Sequence, residues 1–300
     1  MCLDATELGN YWVLAHMASV AQVSPFYSLK FATGSVYIGK DIKKEKEVAL
    51  KVERSGRSRS NLYHEYQIYK DLIGCPGISR AYWYGSEGPF NVMVMDRYQL
   101  SLDDMVNQAT LDPHTVVSFA NQMVSTCPKV ENNLLRLMQL CSLEALHHRG
   151  YIHRDIKPDN FMVGVDNMIY LIDFGLAQRF RDPMTDMHIP PTTGHSLVGT
   201  IRYTSINSHI GLQQSRRDDL ESFAYTLVFL LNGKLPWQGI SSRRTDCGVE
   251  IRRRKVELCQ QESNVIPSTL TTFLRYTRSL IFEERPDYNH VHELVQEVAT

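Results

Sequence analysis

No two of the six cysteines in this 300-residue chain stand at the spacing that a metal site or a disulfide framework needs. Cys2, Cys75, Cys127, Cys141, Cys247 and Cys259 are scattered, with no Cys-x-x-Cys pair, and read as buried free thiols of a reducing compartment. The eleven histidines form no His-x-x-x-His pair, so a helical zinc motif has no ligands. Charge of one sign is missing too. The formal net charge is -1, so no global field draws the chain to nucleic acid or to a membrane surface, and any basic patch is local. The stretch Tyr11 to Leu29 is interrupted by His16, Gln22, Ser24 and Pro25, and Asp4 and Glu7 precede it where a basic flank belongs. It is too polar to span a bilayer and is a poor secretory leader. There is no internal repeat and no low-complexity linker. The expectation is a monomer of the cytoplasm or nucleus, with no membrane span and no nucleic-acid partner.

What remains is ordinary globular material, 43% hydrophobic and 22% charged, long enough for one large domain or two lobes sharing a cleft. From Ser35 to Asp96 the pattern is mostly strand. Ser35–Gly39, Glu47–Val52, Arg80–Tyr84 and Asn91–Met95 are short runs of β-branched or aromatic residues bounded by turn residues. One helix interrupts them, Asn61 to Leu72, with Leu62, Glu65, Tyr66, Tyr69 and Leu72 at helical spacing. After Ser101 the pattern predicts helices over His114–Met123, Leu134–His148, Asp218–Leu231, Gly248–Cys259, Ser268–Leu280 and Tyr288–Val298, with two short strands near Phe161–Val163 and Ile169–Ile172. A strand-rich first third before a helix-rich remainder implies an α+β fold of two unequal lobes.

The chemistry concentrates in Tyr151-Ile-His-Arg-Asp-Ile-Lys-Pro-Asp-Asn160. Within one loop, Asp155 can accept a hydroxyl proton, Lys157 can neutralise a transferring phosphate, and Asn160 can ligate a metal ion. Thirteen residues later, Asp173-Phe-Gly175 follows an apolar strand, placing a hard carboxylate where it suits Mg²⁺ beside nucleotide phosphates. Val48-Ala-Leu-Lys51 puts a lysine on an otherwise apolar strand, and Glu65 on the next helix is its natural ion-pair partner. Lys51 is therefore expected to pair with Glu65, with Asp173 close to both. A solvated charged loop beside a core strand is the bland alternative; this order and spacing argue against it.

That order resembles the protein kinases: Lys51 on the third strand, Glu65 on the first helix, Asp155 as catalytic base, Asn160 and Asp173 as Mg²⁺ ligands. Within the kinases it resembles the casein kinase I family. Ser205-Ile-Asn207 stands where most kinases have Ala-Pro-Glu, and Gly199-Thr-Ile-Arg-Tyr203, Gln214 to Ser222, Leu235-Pro-Trp-Gln-Gly239 and Pro286-Asp-Tyr288 look like that family. The resemblance implies a bilobal kinase domain over residues 34–300, with a small lobe of about 34–96 and a large lobe of about 101–300. It implies ATP and Mg²⁺ as cofactors, Ser/Thr hydroxyls of acidic or phosphate-primed proteins as substrates, and nucleotide contacts from Gly34, Val36, Ala49, Lys51, Met95, Asp96 and Tyr98. Met95 is expected to border adenine and Met93, assigned to the opposite strand face, to lie in the core. Arg202 is implied as an anion pocket, because an Arg fork can bond two phosphate oxygens. Arg243 and Arg244 are helpers there or else an exposed basic loop. Thr200 is expected to bond Asp155 and Lys157, Asp219 to brace the catalytic loop, and His153 to pack beneath it.

Two segments depart from the family. Residues 1–33 read as a divergent N-terminal segment, with Leu29 and Phe31 at the first two positions of the expected Gly-x-Gly-x-x-Gly phosphate lid. Val124 to Gln139 is an insertion carrying the helix-breaking Pro128. It predicts a helix from about His114 that stops near Ser125, a loop over Pro128–Asn132, and a second helix that delivers Leu143 and Leu146 to the core. Val124-Ser125 and Gln139 can be encoded by ordinary splice-boundary triplets, so a retained intron is one account of the insertion, and a wrong exon boundary before Gly34 would likewise explain the N-terminus. A milder departure is Arg97-Tyr-Gln-Leu100, where the family usually has Leu-Leu-Gly-Pro. The intact Lys51, Asp155, Asn160 and Asp173 favour an active enzyme. The damaged lid and the insertion favour the alternative, a pseudokinase or scaffold with little turnover.

Overall fold

The structure is a computed structural model that describes residues 7–8, 11–13, 30–31, 34–41, 43–56, 61–109, 111–124, 142–240, 246–260 and 266–299. The chain divides into two compact units. The first comprises Met1–Ile73, Ser79–Gln99 and Asp173–Gly175, and the second Gly74–Ile78, Leu100–Ile172 and Leu176–Thr300.

The first unit is built on an antiparallel sheet. Its strands are β1 (Glu7–Leu8), β2 (Tyr11–Val13), β3 (Lys30–Phe31), β4 (Gly34–Asp41), β5 (Lys46–Arg54), β6 (Ala81–Glu87) and β7 (Phe90–Asp96), and helix α1 (Asn61–Asp71) lies between β5 and β6 in the chain. The strand order is β1-β2-β4-β5-β7-β6, with β3 pairing β4. Along β5, alternation puts Val48, Leu50 and Val52 on one face, where they pack with Val92 and Val94 of β7 and against Tyr37, Tyr82, Trp83 and Phe90. The strands before Gly34 were not legible in the sequence. The segment read as divergent nevertheless joins this sheet, with β2 pairing Gly39–Asp41 and β3 pairing Gly34–Ser35.

The second unit is mostly helical. Short strands β8 (Leu100–Ser101), β10 (Phe161–Val163) and β11 (Ile169–Leu171) form one small sheet, and β9 (Tyr151–Ile152) pairs β12 (Gln178–Arg179). The helices are α2 (Leu102–Gln108), α3 (Pro113–Val124), α4 (Ser142–His148), α5 (Ile206–His209), α6 (Arg216–Asn232), α7 (Cys247–Gln260), α8 (Ser268–Ser279) and α9 (Tyr288–Gln296). Helix α2 escaped the sequence reading because its apolar periodicity is short. Its start is nonetheless well marked: Ser101 and Asp104 form a reciprocal capping box. Of the helix expected over Leu134–His148, only Ser142–His148 falls among the described residues. Leu143 and Leu146 are fully buried there, as the pattern requires. Residues 125–139 of the insertion lie outside the described residues.

Helix α6 is the axis of this unit. Asp218 through Leu230 are all buried, so the helix is enclosed on every side, which its mixed hydropathy does not suggest. Phe223 meets Phe273 of α8 edge-on at 6.1 Å, and Gly233, at φ 68°, ends the helix by donating its N–H to Phe229 O. Phe223→Ala is expected to lower the unfolding free energy by about 3–5 kcal/mol, measured by urea denaturation.

Candidate active site

In the strand-rich unit, the side chain opposite to the Val48–Leu50–Val52 face is Lys51. Its Nζ lies 2.7 Å from Glu65 Oε2, 2.9 Å from Glu65 Oε1 and 2.7 Å from Asp173 Oδ1. Glu65 is brought there by the buried face of α1, which it shares with Leu62, Ile68 and Tyr69. All three charges are buried, and buried charges persist only when paired. Burial alone would lower the Lys51 ammonium, but Glu65 and Asp173 outweigh it and hold the lysine raised. Two carboxylates face one ammonium, and burial pushes Glu65 up to about 7. Asp173 sits in the left-handed region at φ 64°, its amide donating to the Tyr69 hydroxyl at 3.1 Å. Tyr69 in turn meets Phe174 edge-on at 4.9 Å. The Lys51–Glu65–Asp173 grouping expected from the sequence is therefore present. Tyr69 was missed as a supporting residue, although it stands one helical turn from Glu65.

The register explains which assigned nucleotide residues share a face. Val36 pairs with Lys51 and Lys51 with Met93; Ile38 pairs with Ala49 and Ala49 with Met95. Two rows thus place Val36, Ala49, Lys51, Met93 and Met95 on one side of the sheet. This corrects the assignment of Met93 and Met95 to opposite faces: adjacent residues of a strand change face, and residues two apart do not. Asp96 falls on the other face, where its carboxylate accepts from Lys46 Nζ at 2.8 Å, the Tyr82 hydroxyl at 2.5 Å and the Arg80 amide at 3.3 Å. Any contribution of Asp96 to nucleotide binding therefore runs through its main chain. Gly34 opens β4 and pairs with Phe31, Tyr98 is half-buried, and Leu29 lies outside the described residues.

In the helical unit, the loop between β9 and β10 carries Asp155, Lys157 and Asn160. Asp155 Oδ1 accepts the Thr200 amide at 2.7 Å, and Oδ2 accepts Lys157 Nζ at 2.7 Å. Lys157 Nζ also donates to Thr200 Oγ1 at 3.1 Å. Asn160 Nδ2 donates to Asp155 O at 2.8 Å. Gly199 makes the Thr200 contact possible: its φ is 91°, and a Cβ there would sit 2.4 Å from Arg154 O.

The loop is anchored from below. Asp219 of α6 accepts the His153 amide at 2.7 Å and the Arg154 amide at 2.9 Å, with Arg154 held left-handed at φ 67°. His147 Nε2 lies 2.9 Å from Asp219, and its Nδ1 lies 2.5 Å from the Tyr288 hydroxyl. Burial lowers the His147 pKa. Burial would raise Asp219, but its bonds to His147 and to the loop hold it below the usual carboxylate range. A neutral His147 that donates to Asp219 and accepts from Tyr288 satisfies the chain. His153 is buried, with Nε2 3.1 Å from Ile172 O. His147 was missed because its two-histidine neighbourhood reads as an ordinary helix end.

Arg202 is exposed, its guanidinium 5.8 Å from the Tyr203 ring centre. Its surroundings are of both signs: burial and then Asp159 raise the Asp103 carboxyl, and Arg202 opposes that shift. Arg243 and Arg244 lie outside the described residues. Among the described residues, no group of three or more His, Cys, Asp or Glu could hold a metal ion by protein alone. Asn160 Oδ1, however, is buried with no hydrogen-bond partner. An unpartnered hard oxygen fits a Mg²⁺ that takes its other ligands from phosphates.

The strand-rich unit holds a strand-borne lysine locked to a helical glutamate and an aspartate, and the helical unit presents a carboxylate, an ammonium and a carboxamide on one loop; each set is of the kind that handles phosphate groups. Residues 32–296 match the family model of the protein kinase domain, and the chain belongs to that family. It is a kinase, and the family implies ATP use. Among the described residues, no helix is long and apolar enough to cross a membrane.

Replacing Asp219 by Ala strips the His153 and Arg154 amides and the His147 ring of their acceptor. Each unpaired buried donor costs about 1–3 kcal/mol. Equilibrium unfolding is expected to show a loss of at least ~2 kcal/mol, with no comparable loss for Asp186→Ala, whose carboxylate meets Arg181 at the surface.

Proposed function

We propose that the chain is a protein Ser/Thr kinase of the casein kinase I type, transferring the ATP γ-phosphoryl group to hydroxyls of acidic or phosphate-primed proteins. The observation that carries the reading is Asp155, whose two oxygens are fixed by the Thr200 amide and by Lys157. The substrate hydroxyl oxygen bonds to the γ-phosphorus as the bond to the β-phosphate oxygen breaks; the hydroxyl proton passes to Asp155 and ADP leaves. Lys157 neutralises charge on the moving group, and Lys51, held by Glu65, does so on the nucleotide. Positioning and charge neutralisation supply most of the acceleration in such transfers. Asn160 through its unpartnered Oδ1 and Asp173 through its carboxylate are the residues that would hold Mg²⁺. When bound, Mg²⁺ neutralises phosphate charge and orients the leaving group.

The Ser/Thr preference and the acidic substrates rest on the resemblance and on Arg202, whose side chain is solvent-accessible. A scaffold with little turnover is the second reading, favoured by the Phe31–Gly34 pairing where a glycine-rich lid is expected. Incubation with Mg²⁺, radiolabelled ATP and casein separates the two: incorporation at a rate abolished by Asp155→Asn supports the enzyme, and none supports the scaffold. Asp155→Asn is expected to remove turnover while ATP affinity stays within about twofold. Equal loss of nucleotide binding would contradict the role assigned to Asp155.

Substrate choice gives an independent measurement. Removing a phosphoserine three residues before the target is expected to lower kcat/KM by about 1.5–3 kcal/mol, the worth of one hydrogen bond to a charged group. Arg202→Ala should flatten that difference. A preference for basic peptides would count against the anion-binding assignment.

A further inference from the structure

Lys255 belongs to the run Arg252-Arg253-Arg254-Lys255 on α7, yet it is completely buried while Arg253 is exposed. Its Nζ donates to Thr204 O at 2.5 Å and to Ile201 O at 3.1 Å, and lies 3.2 Å from His209 Nε2. The rings of Tyr225 and Trp237 flank it, with centres at 4.8 and 5.3 Å. Trp237 is itself fully buried, and its indole N–H donates to Arg202 O at 2.8 Å. The segment receiving these bonds is Thr200–Thr204, which is neither helix nor strand. Its first carbonyl, Thr200 O, is satisfied locally by the Tyr203 and Thr204 amides. Those of Ile201, Arg202 and Thr204 take donors from distant side chains, because buried main-chain carbonyls must find partners.

We propose that Lys255 and Trp237 form a clamp that positions the loop Thr200–Thr204, so that Thr200 meets Asp155 and Lys157 and Arg202 is presented to the substrate. The assignment rests on the proposed reading of Arg202 as the contact for an acidic or phosphorylated substrate residue. The ammonium has three donors, and three acceptors face it: two carbonyls and an imidazole nitrogen. Burial pushes the Lys255 ammonium down to about 7, opposed by Glu221 of α6. Burial, then Lys255 and Arg252, drive His209 of α5 down to about 3, leaving its ring neutral and able to accept. The Tyr225 hydroxyl is turned away, donating to Glu221 Oε1 at 2.7 Å. A lysine so placed acts on the loop through its main chain, whatever residues the loop carries, and touches neither nucleotide nor reacting atoms in this role. It is a positioning residue.

The test uses the full chain, with Lys255→Met, which keeps length and apolar bulk, and Trp237→Phe, which removes only the indole donor and part of the ring. Thermal unfolding and circular dichroism establish that each variant is folded. Kinetics with a peptide substrate are expected to show kcat/KM lowered about tenfold or more for Lys255→Met, carried by a higher KM for peptide, with the KM for ATP within twofold of the parent. Amide hydrogen exchange should show lost protection confined to residues 198–205 in both variants. Exchange unchanged in that segment, or equal losses for peptide and ATP, would overturn the clamp. If Lys255→Met does not fold, Trp237→Phe alone decides by the same two readings. If the parent phosphorylates no peptide, the active-enzyme reading fails in favour of the scaffold, while hydrogen exchange still judges the clamp.

Discussion

The helical unit depends on one unusual constraint: a helix whose first two turns bury three carboxylates. Asp218, Asp219 and Glu221 of Arg216–Asn232 are each almost fully enclosed. Such groups are tolerable only where donors converge on them, and a helix N-terminus is the favourable place for negative charge. Each carboxylate claims a different piece of irregular chain. Asp218 accepts from the Ser205 hydroxyl, the Asn207 carboxamide and the Ser215 amide. Asp219 accepts from the loop that carries Asp155. Glu221 accepts from the Ile206 amide and the Tyr225 hydroxyl. Loops that present functional groups leave part of their main chain without partners of their own, and here a single helix supplies acceptors for it.

The functional side chains follow from that anchoring. With His153 and Arg154 tied down, Arg154 can be held left-handed, a conformation that costs on the order of 1–3 kcal/mol when unsupported. Asp155 then meets the Thr200 amide, which approaches only because residue 199 is glycine. In the strand-rich unit the logic is electrostatic instead. Lys51 is surrounded by Glu65 and Asp173, and each of the three is costly alone and stable together. The same economy of pairing recurs at Lys255, where carbonyl dipoles and aromatic faces take the place of a carboxylate.

The motifs were legible in the sequence wherever chemistry fixes residue type and spacing at short range. Lys51 on its strand, Glu65 on its helix, and the Asp155–Lys157–Asn160 loop could be read because strand alternation, helical periodicity and a tight loop each operate within ten residues. The four longer strands of the first unit and most long helices fell where period-2 and period-3.6 patterns put them. Met93 and Met95 show that even a short-range rule must be applied with its true period.

The three-way grouping of Lys51, Glu65 and Asp173 spans 122 residues; it was expected from the order of the motifs, since nothing local to Asp173 specifies its partner. Other contacts between distant segments were decided by the tertiary structure alone. Lys255 is indistinguishable in sequence from the arginines beside it, because which face of a basic helix is buried depends on what packs against it. His147 becomes an acceptor and donor relay only when Tyr288 and Asp219 close on its two nitrogens. The strands before Gly34 join the sheet through main-chain pairing, which any side chains permit, so their composition carried no signal. Residue type determined what each group can do; burial and the approach of distant backbone decided which groups do it.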